Sequence, residues 1–376
     1  MIYLDSAATT LPSEVVKRDI QDYIDRGGWL NADSKYSAAR KAKEVVEYAR
    51  SQVLRALHAN PDEYEVIFTS GGAEANSLVL ADKTIASSIE HSSILNSPEV
   101  DSSTLIPVDK GGEIQYDALE HHIHSKFNYD KRLISVMYMN NEVGTINDIK
   151  KVIEICHDYG FPVHSDCVQA FGVCDVNVDE LDIDAVSISG HKIHGMQGTG
   201  ALCIRRSLME NFLFPIIYAS PSQEFGMRGG TKNVLGIQTL GTACRVLNWK
   251  EESKCCNYLR NLMIKQVFDN MPNANDILII NGKDNPKILN LTIKGCDAET
   301  MVMMLSNYGI CISAGSACHE QENEPSHVLT AMGISPELAR QSIRLSFSSE
   351  LSSDEVLRTG QKIIQCANVL LGGNLL

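Results

Sequence analysis

The sequence has no apolar run approaching the ~20 residues that cross a bilayer. Its start, Met1-Ile2-Tyr3-Leu4-Asp5, has neither the basic region nor the apolar core of a secretory signal. The expected location is therefore cytoplasmic. Positive charge is also scarce: 33 Lys and Arg stand against 47 Asp and Glu, a formal charge of -14. Nucleic-acid and anionic-membrane surfaces need clustered cations, so neither is an expected partner. The 11 cysteines are scattered and include no Cys-x-x-Cys pair, which indicates neither a structural metal nor a disulfide framework. Most read as reduced core thiols. Gly-x-Gly-x-x-Gly and the Walker lysine motif are missing too, so a nucleotide is not the natural ligand.

What is present is ordinary globular material: 376 residues, 44% hydrophobic and 21% charged, enough for one large domain with a smaller one attached. Short apolar runs alternate with amphipathic stretches. Strands are expected at Val66-Ile67-Phe68-Thr69, Ile85 to Ser88, Leu133 to Met137, after Pro162, and from Ile183 to Ile188. Helices are expected from about Ala38 to Leu57, from Ile149 to Tyr159, and from Val234. Strand, polar tip and helix in recurrent order imply an α/β domain with a mostly parallel sheet flanked by helices. Beyond about Lys250 the pattern changes to charged helix and short strands, a smaller α+β domain. The division is set at Asn248, inside a helix, giving a large domain over 15–248 and a small one from 1–14 and 249–376.

In such sheets ligands collect at the carboxyl ends of the strands, and the polar tips lie there. Ser70-Gly71-Gly72-Ala73-Glu74 joins a strand to a helix, a seat for phosphate built from orphan N–H groups and the helix dipole. Glu90-His91, Asn140-Asn141 and Asp166-Cys167-Val168-Gln169 follow three further strands. Ser189-Gly190-His191-Lys192 follows a fourth and presents a lysine at a rigid edge, where an amine can form a Schiff base. Read together, a phosphate cup, an imidazole, two amides, an acid and a lysine are what pyridoxal 5'-phosphate requires. Downstream, Gly315-Ser316-Ala317-Cys318 places a thiol among small residues, so Cys318 is the candidate nucleophile and Cys311, in an apolar strand, a core residue. Arg344, in the alternating run Ser342 to Phe347, wants a carboxylate.

These motifs resemble, nearly from end to end, those of the cysteine desulfurases of the NifS and IscS type, fold-type I pyridoxal phosphate enzymes related to class V aminotransferases. The pieces are Tyr3-Leu4-Asp5-Ser6-Ala7-Ala8-Thr9-Thr10, Phe68-Thr69-Ser70-Gly71, Glu90-His91, Asn140-Asn141-Glu142-Val143-Gly144, Asp166-Cys167-Val168-Gln169, Ser189-Gly190-His191-Lys192, Gly226-Met227-Arg228-Gly229-Gly230-Thr231, Gly315-Ser316-Ala317-Cys318 and Glu324-Pro325-Ser326-His327-Val328-Leu329. The resemblance implies that Lys192 bonds the cofactor aldehyde, that His91 stacks on its ring and moves protons, and that Asp166 pairs with the pyridine nitrogen. Gln169 would meet the phenolic oxygen, Asn141 would lie against the cofactor, and Gly72, Ala73, Ser189 and His191 would hold the phosphate. Thr231 would reach the partner subunit's phosphate, which makes a homodimer part of the site. Asn31 and Arg344 would grip the carboxylate of L-cysteine. The product would be alanine, with a persulfide on Cys318 for a sulfur-acceptor protein serving iron-sulfur assembly, tRNA thiolation or related sulfur traffic.

The chain departs from the family pattern in four places. Ala73 stands where Thr is usual, which removes a phosphate hydroxyl contact. Ala32 replaces the Pro that follows the substrate asparagine, and Tyr36 a common histidine. Glu320, Glu322 and Glu324 crowd a loop that is otherwise of the long-loop type, and their field should raise the thiol pKa and favour a cationic acceptor. A class V aminotransferase or a selenocysteine/cysteine lyase would share Lys192 and Asp166 without needing Cys318.

Overall fold

The computed structural model describes residues 1–25, 30–81, 83–100, 102–126, 132–211, 214, 222–315 and 325–372. Its strands are β1 (Ile2–Tyr3), β2 (Tyr64–Thr69), β3 (Ile85–Ala86), β4 (Ile134–Ser135), β5 (Val163–Asp166), β6 (Ala185–Ser189), β7 (Gly200–Arg205), β8 (Leu278–Asn281), β9 (Ile288–Ile293), β10 (Ile310–Cys311), β11 (Ser313–Ala314) and β12 (Ser342–Ser346). Six of these form one sheet in the order β2-β7-β6-β5-β4-β3. The run from β3 to β6 is parallel, whereas β7 is antiparallel to both neighbours, pairing Ile188 with Ala201 and Phe68 with Ala201 from opposite sides. The mostly parallel sheet expected from the sequence is thus a mixed one, with a single reversed strand.

Period-two alternation explains why this sheet carries helices on both faces. In β2 and β7, Val66, Phe68, Ala201 and Cys203 enter one apolar cluster while Ile67, Leu202 and Ile204 enter another. The first cluster includes Val46, Ala49 and Val53 of the Arg40–Ala56 helix and Ile237 and Leu240 of the Val234–Val246 helix. The second includes Ala75, Leu78 and Val79 of the Gly72–Val79 helix. Each fully buried large aliphatic side chain contributes about 1.5–3 kcal/mol, so both faces are strongly sealed.

A second, antiparallel sheet runs β11-β12-β9-β8. Leu289, Leu291, Ile343 and Leu345 from it share a separate core with the Trp249–Asn270, Ala298–Ser306 and Ser353–Leu370 helices. The chain start joins this core: Ile2 and Leu4 lie in it, β1 pairs with β10, and Ser346 N donates to the carbonyl of Leu4 at 2.8 Å. Around Asn248 the chain is not inside a helix. Two helices meet there, Val234–Val246 and Trp249–Asn270, because the Asn248 side chain accepts from the N–H of Glu251 and starts the second. Among the described residues no helix is long and apolar enough to cross a membrane.

Candidate active site

At the carboxyl ends of the parallel strands lies a cavity of about 300 Å³, lined among others by Gly72, Asn76, His91, Asp166, Gln169 and Lys192. Each strand supplies one part. β2 runs through Ser70-Gly71 into the Gly72–Val79 helix, so the unpaired N–H groups of its first turn face the cavity. Close packing at this point demands glycine. A Cβ on Gly72 would stand 2.6 Å from Val168 Cγ2, and one on Gly200 of β7 would stand 2.6 Å from the carbonyl carbon of Gly71. Ser189, at the end of β6, packs against the same helix start, and its hydroxyl is buried with no hydrogen-bond partner among the described residues. An N-terminal turn, bare backbone and an unpaired buried hydroxyl form a cradle suited to a phosphate dianion.

Asp166, at the tip of β5, is held on two sides. Asn76 Nδ2 donates to its Oδ2 at 2.8 Å, and the N–H of Val168 donates to its Oδ1 at 2.9 Å. Gln169 also lines the cavity, with Nε2 donating to the carbonyl of Ala7 at 2.9 Å and Oε1 left unpaired. Asn141 lines it from the exit of β4, and Ala73 from the helix start. His91 is half-buried and caps the Ser92–Leu95 helix by accepting from Ser93 N at 3.1 Å. Burial, reinforced by the charge of Lys192, holds its imidazole below the ordinary histidine range, although Asp166 pulls the other way. His191 is pushed down to about 4, first by burial and then by the charges of Lys192 and Lys287, and its Nδ1 sits 3.1 Å from Thr9 Oγ1. Lys192 donates to the carbonyls of Ala7 and, at 2.7 Å, of Ala8.

Arg344 reaches the cavity from β12. The carboxylate it was expected to want is present: Nη2 donates to Asp5 Oδ1 at 2.9 Å, while Nη1 donates to the carbonyl of Asn141 at 3.0 Å and Nε is buried without a partner. Asn31 and Thr231 lie elsewhere. Asn31 is exposed, with Oδ1 accepting from Asp33 N at 2.9 Å. Thr231 is exposed on a loop tied to that same turn, since Lys232 Nζ donates to Asp33 Oδ1 at 2.6 Å and Gln223 Nε2 to Asp33 Oδ2 at 2.7 Å. Cys318, Glu320, Glu322 and Glu324 lie outside the described residues.

Five contributors have no role read from the sequence. Asn76 holds Asp166, and its spacing of four from Gly72 was the available signal, because both fall on one helix face. The carbonyls of Ala7 and Ala8 give no side-chain signal at all. Glu90, named only as part of a motif, is fully buried, with Oε1 accepting from Ser87 Oγ at 2.7 Å and from Met137 N at 2.6 Å; burial pushes it up to about 8. Arg50 anchors the glycine-rich loop by a bidentate pair with Glu224, at 3.0 Å for each arm, and Glu224 also accepts from Phe68 N.

Comparison with known proteins gives a consistent result. The family model described as aminotransferase class-V matches residues 2–358. A protein named cysteine desulfurase IscS from Clostridium botulinum is 33% identical, with 97% of this chain and 94% of that one covered. The crystal structure of a NifS-like protein from Rickettsia africae superposes with a TM-score of 0.86 at 32% identity, covering 99% of both chains. A structure titled SspA in complex with cysteine superposes with a TM-score of 0.76 at 28% identity, covering 93% of this chain and 99% of that one.

Proposed function

The chain belongs to the aminotransferase class-V family, as a cysteine desulfurase of the NifS and IscS type, and from that premise we propose that the cavity around Lys192 holds pyridoxal phosphate and converts L-cysteine to alanine. The observation that carries this reading is the convergence of Lys192, Asp166, Gln169 and the Gly72 helix start on one cavity. The residues fit the cofactor. Gly72, Ala73, Ser189 and His191 would hold its phosphate, where the orphan hydroxyl of Ser189 finds an acceptor. Asp166, already braced by Asn76, would meet the ring nitrogen; Gln169 the phenolic oxygen; and Asn141 and His91 the ring. When bound, the cofactor supplies a sink for the electron pair left on the substrate carbon.

The chain's own groups do the rest. Arg344, oriented by Asp5 and the carbonyl of Asn141, binds the substrate carboxylate, and Asn31, which does not line the cavity in this structure, would be its second contact by the family resemblance. The Lys192 amine takes the Cα proton as general base. His91 is held toward the neutral form by burial, which leaves it able to accept a proton as well. The Cys318 thiolate attacks the substrate sulfur; a sulfur–sulfur bond forms, the Cβ–sulfur bond breaks with its pair going to Cβ, Cβ is protonated, and the proton held on Lys192 returns to Cα. Alanine leaves and Cys318 keeps the persulfide for an acceptor protein. The acidic stretch Glu320 to Glu324 favours an acceptor with a cationic docking face. Thr231, on an exposed loop, would reach the partner subunit's phosphate in a homodimer, and the core containing Ile2, Leu4 and β12 would be that of the small domain.

The test is alanine production from L-cysteine by the purified protein beside Cys318→Ala and Lys192→Ala. Both variants are expected to lose activity by roughly 10²–10⁴-fold. Equal alanine from wild type and Cys318→Ala would remove the persulfide step. Bound cofactor without alanine from any form would point to an aminotransferase.

A further inference from the structure

A second cavity, of about 390 Å³, lies on the other side of Lys192, between the six-stranded sheet and the small core. Nothing proposed above uses it. Lys287, which leads into β9, lines it and is 3% exposed, yet among the described residues its ammonium has no hydrogen-bond acceptor and no carboxylate within ion-pair distance. Burial holds the Lys287 amine below the ordinary lysine range, so it keeps its proton best when an anion joins it. Glu252, a carboxylate whose field reaches Lys287, is committed to other groups: its Oε1 accepts from Ser349 N at 3.0 Å and lies 3.8 Å from His194 Nε2.

The rim carries the opposite imbalance. Glu251 and Glu350 line the cavity, are exposed, and have no ion-pair partner among the described residues. Cations inside and carboxylates outside discriminate between ligands. A simple anion would have to pass the rim glutamates, and a simple cation would meet Lys287. Val173 and Leu247 supply apolar wall for a small side chain.

We propose that this cavity is a second amino-acid site, taking a small α-amino acid as its zwitterion, with the carboxylate on Lys287 and the ammonium toward Glu251 and Glu350. An occupant would bridge the two cores and touch the stem of Lys192, so it would report amino-acid supply to the reaction centre. The count of two sites rests on the desulfurase reading, since Lys192 lines this cavity too and Arg344 supplies the first amino-acid site.

Equilibrium dialysis of radiolabelled L-alanine against the cofactor-loaded protein tests it. Two molecules per chain are expected for wild type. Lys287→Met should bind one, and Arg344→Met should bind one at the complementary site. Two molecules in Lys287→Met, or one in wild type that Lys287→Met keeps and Arg344→Met loses, would overturn the assignment, whereas one that only Lys287→Met loses would keep this site and count against the role given to Arg344. If Lys287→Met does not retain the cofactor, the Glu251→Gln, Glu350→Gln double variant decides, since both changes lie at the exposed rim. Its second-site affinity should fall about tenfold with the loss of two charge-assisted contacts, and an unchanged affinity would sink the proposal.

Discussion

Glu90 and His91 are adjacent in the chain, and burial shifts them in opposite directions, each toward its neutral form. The Glu90 carboxyl is fully buried, is raised to about 8 chiefly by burial, and faces the negative field of Asp166. Held neutral, it fixes the backbone of Met137 beside the cavity without adding a second anion near Asp166. Its folded value lies above the ordinary ~4.3, so the stability it contributes is complete below that value and is lost as pH rises through about 8. Glu90→Gln keeps the acceptor for Ser87 and Met137 but does not titrate. Denaturant unfolding of the two proteins should therefore diverge in favour of the variant between pH ~4.3 and 8, by roughly 1.4 kcal/mol per pH unit. Parallel curves would show that Glu90 ionises freely.

His191 has the reverse sign. Lowered to about 4, it contributes stability that is present above the ordinary ~6.5 and is lost as pH falls through its folded value. His191→Gln should flatten the acid limb of the unfolding profile between those values, measured on protein without cofactor. At this scale the sequence is informative about identity: Lys192, His91, Asp166 and Gln169 are named from their positions at strand tips and Arg344 from an alternating run, and all five line one cavity. It was silent about protonation, which depends on what surrounds a group in space.

Among the elements, the turn between β2 and the Gly72–Val79 helix is tightly constrained by backbone. Gly200 permits β7 to pass against Gly71, and neither neighbour there is a flexible side chain that could yield. Gly200→Ala should cost about 1–3 kcal/mol by overpacking and weaken cofactor binding along with it. Calorimetry and cofactor titration would check this, and normal affinity in a destabilised variant would show that the cradle tolerates the shift. The strand-glycine-helix order was legible because it depends on local chemistry. The reversed direction of β7 was not, since a short apolar run carries no sign of which neighbour it will pair with. Asn248 likewise looked like helix interior by pattern, and only its capping bond to Glu251 divides the two helices.

Across the whole molecule, Arg344 ties three regions together: the arm through Asp5, β11 through Ser313 Oγ at 3.1 Å, and the tip beyond β4 through the carbonyl of Asn141. Removing the acid would leave a guanidinium that is 2% exposed without its counter-charge. Asp5→Asn should cost about 3 kcal/mol, the lower end for breaking a buried pair, and raise the KM for L-cysteine more than it lowers kcat. Unfolding measurements and steady-state kinetics separate the two effects, and an unchanged KM would mean that Arg344 keeps its aim without Asp5.

The sequence by itself determined the layered α/β class, the strand-tip motifs and the chemistry they imply, because alternation, glycine turns and residue types act over a few neighbouring positions. Only the tertiary structure decided that the first residues complete the small core, that Asn76 and Asp5 brace Asp166 and Arg344, and that Lys287 is buried beside a second cavity. Asp5 and Arg344 are 339 residues apart in sequence. A contact at that separation is set by how the two cores pack, and no local pattern along the chain encodes it.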